Sequence, residues 1–211
     1  MRSPLLNLTR TDLEKIFQSK YGFDAAIMGW GPRTRGRFGY FARDDYYEAA
    51  VSRFVTVGCA WLDVGAGRNV FPSNRRLARL LAERCSLLVG LDPDSTLDEN
   101  NLVHERVRGS IEDYQTERTF DVVTLRIVAE HLVDPEGAVS ALARLTRPGS
   151  HVIVYTINRW SPVPILAYLV PFRFAHLPKR LLWNSDRKDT FPIVYRMNTR
   201  AALGQFFGRH A

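Results

Sequence analysis

The sequence predicts an α/β protein built on a doubly wound parallel sheet, and three observations lead there. From residue 58 onward, short apolar runs alternate with segments of helical period, the pattern of strands linked by crossover helices. The first such run, "WLDVGAGRNV" (61–70), ends in an aspartate and a turn carrying two glycines. The 211 residues, 45% apolar and 24% charged, suit one soluble globular domain with elaborations.

Each element follows from its residues. "TDLE" (11–14) has the form of a capping box and opens a helix over about 12–20. "GWGPRTRGRFGYF" (29–41), rich in Gly and Arg, reads as a loop, and "RDDYYEAAVSRFV" (43–55) as a second helix. "CAWLDVG" (59–65) is a buried strand. "PSNRRLARLLAERC" (72–85) is a helix with Leu77, Leu80 and Leu81 on one face. "SLLVGLD" (86–92), the weaker "HERVRG" (104–109) and "FDVVTLR" (120–126) are strands. "DPEGAVSALARL" (134–145) is a helix capped by Asp134 with Pro135 at its first position. "RPGS" closes it, and "HVIVYTI" (151–157) is the fifth strand. The proline-rich stretch 158–198 is irregular, and "NTRAALGQFFGRH" (198–210) is a last helix capped by Thr199. The division is residues 1–57 for N-terminal helices and a substrate-side loop, 58–157 for the core, and 158–211 for a cap and the last helix, all in one domain.

Composition narrows the partners. Cys59 and Cys85 show no metal or redox spacing, which points to two unpaired thiols in a reducing compartment. The N-terminus lacks the apolar run of a signal peptide, and "PVPILAYLVPF" (162–172) is too short to span a bilayer, so a cytoplasmic location is expected. From Arg159 to the end there are nine Lys/Arg against two Asp/Glu, so the whole net charge of +7 lies there. That is either a solvated basic face or a surface for an anionic partner.

The glycine turn carries the functional argument. Parallel α/β sheets bind ligands beyond the carboxyl ends of their strands. Gly65 and Gly67 let a ligand lie on bare backbone there, beside the N-terminus of the next helix. The second strand also ends in a carboxylate, Asp92 in "GLDPD", which can accept hydrogen bonds from both hydroxyls of a ribose. The pattern asks for a nucleoside-bearing cofactor, either a dinucleotide or S-adenosylmethionine. The dinucleotide fingerprint wants a third glycine where Val70 stands.

Over roughly 58–157 the chain resembles the class I S-adenosylmethionine-dependent methyltransferases. "LDVGAG" is like their first motif, and Asp92 matches the acidic residue after their second strand. "FDVVTLRIVAEHL" matches the fourth strand, its "EHL" ending (Glu130, His131, Leu132) being typical of the methyltransferase type 11-like subgroup, and "LTRPGS" matches the turn before the fifth. The resemblance implies a Rossmann-like sheet of order 3-2-1-4-5. It implies that Asp63, Gly65, Ala66 and Gly67 line the methionine end of the cofactor, with Asn69 (and Arg68) near its carboxylate. Asp92 would hold the ribose, Pro93 would pack on the adenine, and Ser110 and Ile111 would meet the adenine edge. Arg126 and Ile127 would lie near the sulfur.

The implied reaction is methyl transfer by direct displacement to a small-molecule acceptor, or a lipid- or sugar-linked one. His131 is the catalytic candidate by analogy, against a plainer structural part closing the strand end; Tyr195 and Arg196 are candidates for contacting the acceptor. No metal ligands of the catechol-type relatives are recognisable, and the [DN]-P-P-[YF] signature of base methylation is absent, which disfavours a nucleic-acid target. Two other functions compete, a non-catalytic methyltransferase-like scaffold and, more distantly, an NAD(P)-dependent oxidoreductase. The apolar part of 158–198, beside Arg173, Lys179 and Arg180, would cap the active site or touch a membrane surface. The sequence ends where the family's usual C-terminal β-hairpin would begin, so either the sheet is five-stranded or the sequence is a C-terminally truncated fragment; in the first case the fifth strand has an edge that a homodimer or the 158–198 segment would cover.

Overall fold

The structure, a computed structural model, describes residues 7–24, 28–161 and 194–209. Its order is α1 (Arg10–Tyr21), α2 (Trp30–Phe38), α3 (Arg43–Phe54), β1 (Ala60–Val64), α4 (Arg75–Arg84), β2 (Leu87–Asp92), a 3-10 turn (Ser95–Glu99), β3 (Glu105–Arg108), β4 (Phe120–Arg126), α5 (Pro135–Leu145), β5 (Thr146–Tyr155) and α6 (Arg200–Phe207). Five parallel strands form one sheet in the order β3-β2-β1-β4-β5. The expected topology is therefore present, and the order reverses between β1 and β4, where α/β sheets open a crevice.

Strand alternation explains the two layers. Trp61 points to one face, into a core with Leu13, Ile16, Tyr47, Val51, Leu77, Leu81 and Leu88, which seats α1, α3 and α4. Leu62 and Val64 point to the other, into a core with Val89, Leu91, Leu125, Leu142 and Leu145, which seats α5; Leu203, Phe206 and Phe207 of α6 pack on the same core. The helices thus lie on both faces, as double winding requires.

Several expectations shift. The capping box starts two residues earlier than "TDLE": Thr9 accepts from the Asp12 amide, and Asp12 accepts in return from the Thr9 amide. The segment 29–41 is not a loop but contains α2, closed by Gly39 in a left-handed conformation. On α4, Leu77, Ala78, Leu81 and Ala82 form the buried face, while Leu80 is 41% exposed. β5 begins at Thr146 instead of 151, because "RPGS" bulges within it: Phe120 pairs with Thr146, yet Val122 already pairs with His151. The caps Asp134 and Thr199 accept from the Gly137 and Ala202 amides as anticipated.

Cys59 and Cys85 are both buried and free, their sulfurs 3.6 Å apart. The irregular stretch expected after β5, including Arg173, Lys179, Arg180 and its prolines, lies outside the described residues apart from its two ends. No described helix is long and apolar enough to cross a membrane.

Candidate active site

The turn after β1 is fixed from several sides. The Gly65 amide donates to the Leu91 carbonyl at 2.8 Å, joining the turn to the end of β2. Gly65 adopts φ 72°, and a Cβ there would overlap Val128 Cγ2, so glycine suits the close approach between the turn and the chain leaving β4. Asn100, fully buried, donates its Nδ2 to the carbonyls of Ala66 (3.3 Å) and Gly67 (3.1 Å). No sequence spacing marks Asn100 for this role. Val70, at the missing third glycine, is buried in the core under α4.

Asp92 is oriented by two backbone amides. Gly67 donates to its Oδ2 at 2.9 Å and Asp94 to its Oδ1 at 2.8 Å. Each oxygen keeps lone-pair capacity for one more donor. The carboxylate thus ties the two turns together and faces the crevice between them.

Asp63 lies deeper. It pairs in register with Thr124 of β4, whose hydroxyl donates to Asp63 Oδ1 at 2.6 Å and accepts from Trp61 Nε1 at 2.8 Å. Burial pushes the Asp63 carboxyl up to about 7; the Thr124 hydrogen bond and the positive Arg126 oppose this, and Asp92 adds to it. Thr124 was visible in sequence only as a polar residue inside an apolar run. The Tyr47 hydroxyl of α3 faces Thr124 and Asp63 without a well-formed hydrogen bond to either.

These elements bound a cleft of about 660 Å³ at the switch point. Gly65, Asp92, Pro93, Ser110, Ile111, Ile127 and His131 all line it. Asp63, Ala66, Gly67, Asn69 and Arg126 do not: Asp63 and Ala66 are buried behind the turn, and Arg126 turns to Asp44 of α3 at 3.4 Å. Arg68 turns to Glu99 at 2.9 Å. Ile127 holds φ 56°, a conformation costly for a β-branched residue, while its amide donates to the Tyr155 carbonyl at 2.7 Å.

The charge of the cleft is one-sided. Asp92, Glu112, Asp113 and Asp134 are among its lining residues, with no Lys or Arg among the described ones. Such a cleft favours a ligand that carries positive charge and opposes a pyrophosphate. Tyr195 and Arg196 are not among the cleft-lining residues and come from the far end of the chain. The Tyr195 amide donates to the Glu130 carbonyl at 3.2 Å, and Arg196 Nη1 to the Val133 carbonyl at 2.5 Å, so both sit against the turn that carries His131. Below them, Thr156 donates to Glu130 Oε2 and accepts from Asn198 Nδ2. The described residues hold no cluster of His, Cys, Asp or Glu that could bind a metal ion.

Comparison with known proteins adds a family. A family model described as the methyltransferase domain matches residues 38–209. The ubiquinone biosynthesis O-methyltransferase of Vibrio atlanticus (strain LGP32) is 32% identical over 108 residues, covering 46% of this chain and 43% of that protein. The protein of the same description from Photorhabdus laumondii is 34% identical over 116 residues, covering 51% of this chain and 47% of that protein. The chain spans less than half the length of the curated relatives it matches. A solved SAM-dependent methyltransferase from Aquifex aeolicus shares the fold, with TM-score 0.51 and 12% identity over 97% of this chain and 89% of that one.

Proposed function

The chain belongs to the methyltransferase-domain family, and on that premise we propose that it transfers a methyl group from S-adenosylmethionine to a hydroxyl of a small-molecule acceptor, including lipid- or sugar-linked ones. One observation carries the choice of cofactor: the cleft at the switch point has Asp92 at its β2 end and acidic residues elsewhere on its lining. S-adenosylmethionine carries a sulfonium and an ammonium beside its carboxylate, so the acidic lining stabilises it. The same lining repels the pyrophosphate of a nicotinamide dinucleotide, which counts against the oxidoreductase alternative. The hydroxyl as acceptor follows the O-methyltransferases to which the chain is similar.

The placement supports the following division of tasks. Asp92 takes the two ribose hydroxyls on its free lone pairs, and Pro93 and Ile111 bracket the base. The Gly65 turn keeps side chains away from the amino-acid end. Bound there, S-adenosylmethionine supplies a methyl group on a sulfonium leaving group, so displacement needs no further activation of the donor. The protein's remaining work is alignment and exclusion of water. His131, half-buried on the cleft wall, takes the proton from the acceptor hydroxyl. Tyr195 and Arg196 contact the acceptor.

Calorimetry with S-adenosylmethionine tests the binding step. Asp92→Ala removes two charge-assisted hydrogen bonds and loosens both turns, so affinity should fall by roughly 100-fold, about 2.7 kcal/mol. Unchanged affinity would remove Asp92 from the site. Transfer of labelled methyl to cell extract then separates enzyme from scaffold. His131→Ala should lower turnover by about 100-fold with cofactor affinity intact; equal turnover would return His131 to a structural part.

A further inference from the structure

The N-terminal layer carries a surface that the proposed chemistry does not use. Phe23 is 81% exposed, Trp30 83%, Phe38 73%, Tyr40 64% and Tyr46 48%, five aromatic side chains in one short stretch of chain. None of the residues of α2 is buried. Its inner side is defined by Arg35, which reaches Asp45 at 3.4 Å and the Tyr21 hydroxyl at 2.7 Å, and by Gly36, where a Cβ would touch the Phe17 ring at 3.4 Å. Trp30, Arg33, Arg37 and Phe38 then fall together on the outer side, at helical spacing i, i+3, i+7 and i+8. Arg33, Arg37 and the nearby Arg43 are exposed. Between Met28 and Arg43 the chain has four arginines and no Asp or Glu.

A helix whose outer face combines Trp and Phe with arginine, and whose acidic residues are absent, matches an anionic bilayer surface. Aromatic rings settle at the headgroup level, and each nearby cation adds attraction to anionic lipid. A nucleic acid would ask for a longer row of cations, whereas here five exposed aromatics stand beside three exposed arginines. The position is also informative. Asp44, at the start of α3 just beyond α2, pairs with Arg126 at the carboxyl end of β4, so this layer adjoins the edge of the sheet where the cleft opens.

We propose that the outer face of α2, with Trp30 and Phe38 as apolar anchors and Arg33, Arg37 and Arg43 as cationic contacts, docks this protein on an anionic lipid surface. This docking goes beyond the methyl-transfer reading and does not depend on it, because docking is measured without cofactor or acceptor.

Flotation with vesicles of equal parts phosphatidylglycerol and phosphatidylcholine tests it. The protein should float with these vesicles, should be captured far less by phosphatidylcholine alone, and should be released by added salt. The double variant Trp30→Ser, Phe38→Ser should bind at least about tenfold more weakly, and Arg37→Glu severalfold more weakly. These side chains are exposed, so far-UV circular dichroism and the thermal midpoint should not change; Arg37→Glu decides the matter if the double variant does not fold. Failure to float on anionic vesicles, wild-type binding by both variants, or displacement from vesicles by DNA oligonucleotides at lower concentration than by anionic lipid would each overturn the proposal.

Discussion

Asp63 shows how one side chain can link protonation to ligand binding. Its carboxyl sits behind the glycine turn, held by Thr124, and burial raises it to about 7. A carboxyl raised in the folded state costs nothing below its unfolded value of about 4. It destabilises the fold progressively as pH rises from about 4 to about 7, because the unfolded chain releases its proton first. Full expression of that shift is at most about 4 kcal/mol. The isosteric Asp63→Asn should remove this part of the pH dependence, so the variant should gain stability relative to wild type at pH 8 and not at pH 4, read by urea denaturation at both. A cationic ligand nearby reverses the balance by favouring the ionised form. Affinity for S-adenosylmethionine should therefore be several-fold weaker at pH 6 than at pH 8 in wild type and nearly flat in Asp63→Asn. Calorimetry showing equal affinities for wild type at the two pH values would uncouple Asp63 from the ligand.

At the scale of elements, two joints set the geometry. The first is the buried charge cluster that fastens α1 to α3. Lys20, 2% exposed, reaches Asp45 at 2.7 Å and Glu48 at 2.9 Å, while Asn74 at the start of α4 donates to the other Glu48 oxygen at 2.9 Å. Lys20→Met leaves buried Glu48 without its cation and Asp45 with only the longer contact to Arg35, and should cost about 3–5 kcal/mol in chemical denaturation; a change below about 1 kcal/mol would mean that apolar packing alone holds α1 in place. The second joint is the approach of Gly65 to Val128. Gly65→Ala should lose about 1–3 kcal/mol of stability from strain and overlap, and Val128→Ala on that background should recover part of it, since the overlap is with Val128 Cγ2. These joints also explain what was legible beforehand. The strands were, because β1, β2 and β4 are apolar runs buried on both faces, and the carboxylates Asp63 and Asp92 interrupt them where they end. Helix α2 was not, because two glycines and a proline mark its sequence as a loop and its order comes from Arg35 meeting Asp45, Tyr21 and Phe17. Leu80 misled for a related reason: Ala78 and Ala82 fill the groove beside Leu77 and Leu81, which leaves Leu80 on the outer side. Asn100 could not be found from spacing, because its contacts with Ala66 and Gly67 are made only once the chain has passed through α4 and β2.

At the scale of the whole molecule, the described lining of the proposed cofactor cleft is built without the chain beyond β5. All described residues that line the cleft fall between Val64 and Asp134, on the turns after β1, β2, β3 and β4. The chain beyond β5 meets this body at a narrow joint. The Arg159 amide donates to the Asn198 carbonyl at 3.3 Å, and Val194 and Tyr195 donate to the Glu130 carbonyl, so the polypeptide leaves and returns at one place. The side chains below repeat the clasp, with Thr156 between Glu130 and Asn198. Because departure and return are adjacent, residues 160–190 can be excised and the ends rejoined without pulling β5 or α6 from the core. The excised protein should keep its affinity for S-adenosylmethionine within about tenfold, roughly 1.4 kcal/mol, because no described cleft residue is removed. It should lose methyl transfer altogether if, as proposed, the segment after β5 contributes to holding the acceptor. Calorimetry and labelled-methyl transfer on the same preparation read the two halves separately. Loss of cofactor binding in a deletion that keeps its circular dichroism would place part of the cofactor site in 160–190. Retained transfer would instead leave the acceptor to be gripped by the strand turns that line the cleft, His131 among them.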